Sequence, residues 1–134
     1  MQTQTPDQRR VEAFLKTADR DMNVAELIYQ NSPHFYESIG FHCQQAVEKY
    51  LKAGLVTKGL PAPYTHDLAR LLNSLNPFIS FDLDEQTAAV ALLEFAVELR
   101  YEIDEDPSYT SAELLAMAHR FQHKLRPLAA AFLT

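Results

Sequence analysis

The chain has 134 residues, 47% of them hydrophobic and 22% charged, with three Gly, seven Pro and no Trp. Folding at this length removes roughly 68% of the unfolded surface from water, so one domain spanning residues 1–134 with one sizeable core is expected, and collagen-like or disordered classes are excluded. With 12 Lys plus Arg against 18 Asp plus Glu the net charge is −6, so no whole-molecule field draws the chain to nucleic acid or anionic lipid, and such a partner must meet a local basic patch.

Val11, Phe14, Leu15, Ala18, Met22, Ala25, Ile28 and Tyr29 recur at three and four, which predicts a first helix with one buried side. It should stop at Asn31-Ser32, with Ser32 capping a second helix and Pro33 in its first turn. The second segment, His34 to Lys58, is apolar around most of its circumference and should be surrounded by other helices. Gly59-Leu60-Pro61-Ala62-Pro63 predicts an extended connector. Thr65 is then expected to cap a short third helix, with Asp67 in its first turn and Leu68, Leu71, Leu72 and Leu75 on its inner face. Asp82 or Asp84 opens a fourth helix expected to reach about Tyr101, and its apolar Ala88-to-Leu99 face makes it a candidate second central helix. After the acidic turn Asp104-Glu105-Asp106, Thr110 or Ser111 starts a fifth helix, in which Pro127 predicts a kink or an end. The tail Leu128 to Leu133 would then lie exposed unless a partner covers it.

No stretch alternates with period two over a strand length, so the fold class is all-α. The lone Cys43 and the absence of an apolar leader point to a reducing, cytoplasmic location. The longest near-apolar stretch, Ala88 to Val97, is about half the ~20 residues a membrane helix needs, so no membrane partner is expected.

The polar residues Gln44, Gln45, Glu48, Lys49 and Lys52 share one arc of the second helix. Gln45 could hydrogen-bond a base or ribose, and Lys49 and Lys52 could meet a phosphate. The bland alternative is a solvated stripe with Glu48 and Lys52 as a helix-supporting i,i+4 pair. His66 and Asp67 open the third helix, where backbone N–H groups favour an anion, although Thr65 and Asp67 could satisfy those donors themselves. Arg100 either neutralises an acidic neighbour or contacts a phosphate. His119 and His123 are four apart, which is weak support for a metal without a third ligand. Cys43 reads as a small buried hydrophobe. No glycine-rich phosphate loop, serine elbow or zinc quartet is present, so no metal, cofactor or catalytic residue is assigned.

Phe41-His42-Cys43-Gln44-Gln45-Ala46-Val47-Glu48-Lys49-Tyr50-Leu51-Lys52-Ala53, then Lys58-Gly59, then Thr65-His66-Asp67-Leu68 and the later pair Arg100-Tyr101, resembles the signature of the HEPN domain family, over about residues 10–126. The resemblance implies an up-and-down bundle of four long helices plus one short helix, usually a homodimer. It further implies a nucleotide or RNA ligand and a minimal nucleotidyltransferase as protein partner, in a toxin–antitoxin-like setting. On the matching positions it makes Gln45, Lys49, Lys52, His66, Asp67, Arg100 and Tyr101 the nucleotide-binding candidates. Many members of that family are ribonucleases whose motif is an Arg followed after four to six residues by a His. After Arg100 those positions hold Glu105, Asp106 and Pro107, which removes the imidazole expected to act as general acid–base. The resemblance therefore favours a binding module over a divergent homodimeric ribonuclease, with a plain helical scaffold as a third reading.

Overall fold

The computed structural model describes residues 3–96 and 108–134 and is all-helical over them. Five helices follow in order: α1 (Pro6–Asn31), α2 (Tyr36–Thr57), α3 (Leu68–Leu75), α4 (Leu83–Leu93) and α5 (Ser111–Phe132). Every other helix packs on α2, as its apolar circumference requires. Its Ile39, Cys43, Val47, Leu51, Leu55 and Val56 are buried together with Val11, Ala18 and Met22 of α1 and Leu114, Phe121 and Leu125 of α5. Among the described residues no helix is long and apolar enough to cross a membrane.

Helix boundaries depart from the sequence expectation for identifiable reasons. α1 starts five residues before Val11, because Thr5 accepts from the Gln8 N–H at 3.1 Å while the Gln8 side chain accepts from the Thr5 N–H at 2.9 Å. This reciprocal cap satisfies two otherwise orphaned donors, and Pro6 at the first helical position loses nothing. Ser32 closes α1 instead of opening α2, donating its N–H to the Ile28 carbonyl at 2.6 Å. α2 then begins at Tyr36 behind Phe35, which offers no side-chain cap. Thr65 does not cap α3. That position belongs to Asp67, which accepts from the Arg70 N–H at 3.3 Å, while the Thr65 hydroxyl accepts from the Asp67 N–H at 3.1 Å and shapes the turn before it.

α4 departs most. It ends at Leu93 rather than near Tyr101, and the Phe95 and Ala96 N–H groups turn back on the Leu92 and Leu93 carbonyls at 3.0 and 3.1 Å. The turn drives Phe95 into the core against Gly40, where a Cβ would sit only 2.4 Å from the Phe95 ring. A glycine in α2 thus lets the aromatic ring lie on bare backbone. α4 is also not a second central helix, because Leu83 and Val90 are exposed and only one side faces the core.

At the C-terminus α5 continues through Pro127 to Phe132. The tail, in the last turns of α5, lies beside the start of α1: Ala129 is buried, Phe132 and Leu133 are half-buried, and Gln8 Nε2 donates to the Phe132 carbonyl at 3.2 Å. Leu128 is the large apolar side chain of that tail left exposed.

Candidate functional site

At about 100° per residue, Gln44, Glu48, Lys52, Gln45, Lys49 and His42 follow one another around roughly 160° of α2. A helix enclosed by others would ordinarily bury such an arc at a penalty, since unpaired polar groups out of water are costly. Each polar group is instead provided with a partner, from α1 or the α2–α3 connector or from α2 itself. On one flank, Asp21 of α1 bridges a histidine and a lysine of α2, with Oδ1 3.0 Å from His42 Nδ1 and Oδ2 2.5 Å from Lys49 Nζ. On the other, Glu48 does the same, with Oε1 2.7 Å from His66 Nδ1 and Oε2 3.2 Å from Lys52 Nζ.

The predicted candidates therefore divide between two trios. Lys52 and His66 meet on Glu48, whereas Lys49 faces α1 and is held by Asp21. Gln45 lies between them and donates to the Gln44 side-chain oxygen at 2.7 Å. Gln44, fully buried, donates in turn to the His66 carbonyl at 3.1 Å and towards Glu48 at 3.4 Å. Asp67 is committed to capping α3. Arg100 and Tyr101 lie outside the described residues. The i,i+4 pairing of Glu48 with Lys52 expected from the sequence is present, but buried in place of solvated.

The two histidines are oriented alike. A carboxylate only accepts, so Nδ1 of each ring carries the proton and Nε2 points away from the anchoring acid. The His66 side chain is 55% exposed and that of His42 is 23% exposed. Among the described residues, His66 Nε2 has no hydrogen-bond partner, so it offers a directed polar atom at the surface. Burial pushes the Asp21 carboxyl up, but hydrogen bonds and charge from His42 and Lys49 outweigh it and hold the group below its ordinary value.

A second polar chain crosses the opposite side of α2. Arg126 grips Asp19 with Nη2 at 2.8 Å, the Tyr50 hydroxyl donates to Asp19 at 2.5 Å, and Gln122 Nε2 donates to that hydroxyl at 2.9 Å. His119 completes it, with Nδ1 3.0 Å from Gln122 Oε1 and Nε2 2.6 Å from Glu26. Both its ring nitrogens thus face protein acceptors. Among the described residues no group of three His, Cys, Asp or Glu side chains is placed to hold a metal ion. Cys43 is fully buried, and burial, reinforced by the nearby Glu26 and Asp21 charges, pushes its thiol up to about 12. It is therefore no ready nucleophile.

Sequence reasoning missed Asp21 and His42 as members of this region. His42 and Lys49 are seven apart on one face of α2, a spacing that could have paired them. Nothing in the sequence announced Asp21 as their shared anchor.

An all-α bundle with a polar arc on its central helix, clasped by a histidine from a proline-rich connector, defines the class of protein. The model of the HEPN domain matches residues 11–126, and the chain belongs to the HEPN domain family. Its fold is similar to that of TT1696 from Thermus thermophilus, with a TM-score of 0.74 and 23% identity over 89% of this chain and 98% of that one. It is also similar to ST0689, an archaeal HEPN homologue, with a TM-score of 0.65 and 22% identity over 91% and 97% of the two chains. A comparison with curated proteins finds no significant match.

Proposed function

We propose that the chain is a nucleotide-binding HEPN module whose ligand lies along the α2 arc, with its phosphate at the Glu48–Lys52–His66 trio. The observation that carries this reading is the pair of carboxylate-bridged His–Lys trios. Each holds up to two positive charges around one negative charge, so with its histidine protonated each retains a net cation in a fixed place. Prepositioned donors of this kind are what a phosphate rewards, because little ordering remains to be done on binding. Gln45, between the trios, supplies an amide for the sugar or base.

The reading includes a homodimer and a nucleotidyltransferase partner of the toxin–antitoxin type. The exposed Leu83, Val90 and Leu93 on the outer side of α4 support a protein contact there, since apolar side chains grouped on one face mark interaction surfaces. Catalysis is not part of it, because Glu105, Asp106 and Pro107 stand where a ribonuclease of the family needs its histidine.

Isothermal titration with AMP, ATP and GTP tests the proposal, alongside light scattering for the dimer mass. A nucleotide should bind the wild type, and His66→Ala should weaken it about tenfold, the worth of one charged hydrogen bond. No heat and no thermal shift with any nucleotide would leave a scaffold as the better reading. RNA cleavage lost in Arg100→Ala would replace the binding module with a ribonuclease.

A further inference from the structure

The connector from α2 to α3 is built to hold one ring away from the protein. Gly59 closes α2 at φ 73°, where nothing lies within 4 Å of a would-be Cβ, so it is the conformation and not space that requires glycine. Pro61 and Pro63 then fix their own φ angles and keep the residues before them extended. The next side chain, Tyr64, is 99% exposed. A tyrosine that served the core would bury its ring, and this one leaves the whole ring to solvent on a stretch stiffened by two prolines.

What surrounds the ring is not apolar. Lys52 Nζ lies 6.0 Å from the ring centroid, and the His66 ring centroid lies 6.3 Å away at an interplanar angle of 57°. Both groups belong to the Glu48 trio, and the His66 nitrogen not bound to Glu48 is Nε2. An open aromatic face and an imidazole whose Nε2 becomes a donor when His66 is protonated thus lie side by side on a preformed connector, with ring centroids 6.3 Å apart. A ligand matching both has a flat aromatic portion and an anionic portion joined by a short spacer.

We infer that Tyr64 is the stacking platform for the base of a nucleoside monophosphate whose phosphate accepts from Nε2 of the protonated His66 ring. This rests on the nucleotide reading above and adds to it the residue that senses the base. Stacking is tolerant of base identity, because every base has a π-face. Tyr64 should therefore separate nucleotides from sugar phosphates, not one base from another.

The test is isothermal titration of the full chain with AMP and with ribose 5-phosphate, which keeps the phosphate and lacks the base. Wild type, Tyr64→Phe, Tyr64→Ala and His66→Ala are compared, with circular dichroism to verify the fold. Tyr64→Ala should weaken AMP about tenfold or more, while Tyr64→Phe should bind it as wild type does, because the ring is kept. Ribose 5-phosphate should bind more weakly than AMP and be indifferent to Tyr64, and His66→Ala should weaken both ligands. Equal AMP affinity for wild type and Tyr64→Ala would overturn the platform and leave the nucleotide reading standing. Failure of AMP to bind the wild type would overturn the monophosphate platform, and failure of ATP and GTP as well would overturn the nucleotide reading.

Discussion

The two flanks of α2 solve one problem in two ways. Each places a carboxylate between a histidine Nδ1 and a lysine Nζ, yet the chain supplies the three groups differently. On the α1 flank the acid arrives from another long helix and both its partners stand on α2, so Asp21 ties two rigid rods together. On the connector flank the acid and the lysine share α2, and only His66 comes from outside, on a loop. The first trio is mainly a brace, in which His42 is largely covered. The second keeps a histidine more than half exposed, so the same chemistry is left open to a ligand. A charge trio becomes a candidate site when its histidine belongs to an open connector and not to a packed helix.

Removing each carboxylate tests that distinction most strongly. Glu48→Ala leaves Lys52, whose side chain is only 10% exposed, without a counter-charge and deprives Gln44 of an acceptor. Breaking a buried pair from one side should cost about 3–5 kcal/mol. Asp21→Ala removes two charged hydrogen bonds, but Lys49 is 24% exposed and can turn to water, so about 1.5–3 kcal/mol is expected. Urea denaturation of both variants checks the order. If Asp21→Ala were the more damaging, the connector flank would not be the more buried electrostatic unit, and the contrast between the flanks would be reversed.

Much of this frame is legible in the sequence, and the parts that are not share a cause. The apolar stripes of α1, α2, α3 and α5 follow from local periodicity, which reports burial directly. α4 misled because a run such as Ala88-to-Leu99 looks equally apolar whether it is enclosed or lies on one side of the bundle. Its end at Leu93 depends on Phe95 finding Gly40 more than fifty residues earlier in the chain. The arc on α2 was visible as a pattern, but its pairing was not. Lys49 and Lys52 are three residues apart, and which neighbour each meets is decided by α1 and by the connector. Asp21 stands beside a buried stripe in a helix rich in charge, with no local mark to separate it from Asp19 or Arg20. The shift of the α3 cap from Thr65 to Asp67 has the same origin, since His66 is held back on Glu48 and the helix can begin only beyond it.

Acid sharpens the comparison from the α1 side. The folded Asp21 carboxyl sits below the ordinary value of 3.8 it has when unfolded, so the unfolded chain binds its proton first. The stabilisation is fully present above that value and is lost as pH falls through the folded one. Asp21→Asn should therefore be less stable than wild type by about 1–2 kcal/mol at pH 6. The gap should narrow steadily from about pH 4 downward, as read from urea midpoints at each pH. A gap that stays constant to pH 2 would mean that Asp21 contributes by shape and not by charge.

The smallest effect belongs to the histidines, and it discriminates best between brace and site. His66 is bound to Glu48 through one nitrogen and is largely in water, so His66→Ala should cost only about 0.2–1 kcal/mol, the range of exposed ion pairs. Glu48 retains Lys52 and Gln44 in that variant, and so no buried charge is stranded. His42→Ala removes a more enclosed ring from the junction of α1 and α2 and should cost more. Thermal or urea unfolding of the two variants side by side resolves the order. A small loss at His66 is the signature of a residue whose anchoring serves something other than the fold. A loss approaching that of Glu48→Ala would instead make His66 the pin that holds the connector on α2, and a ligand reaching its Nε2 would then have to compete with folding itself.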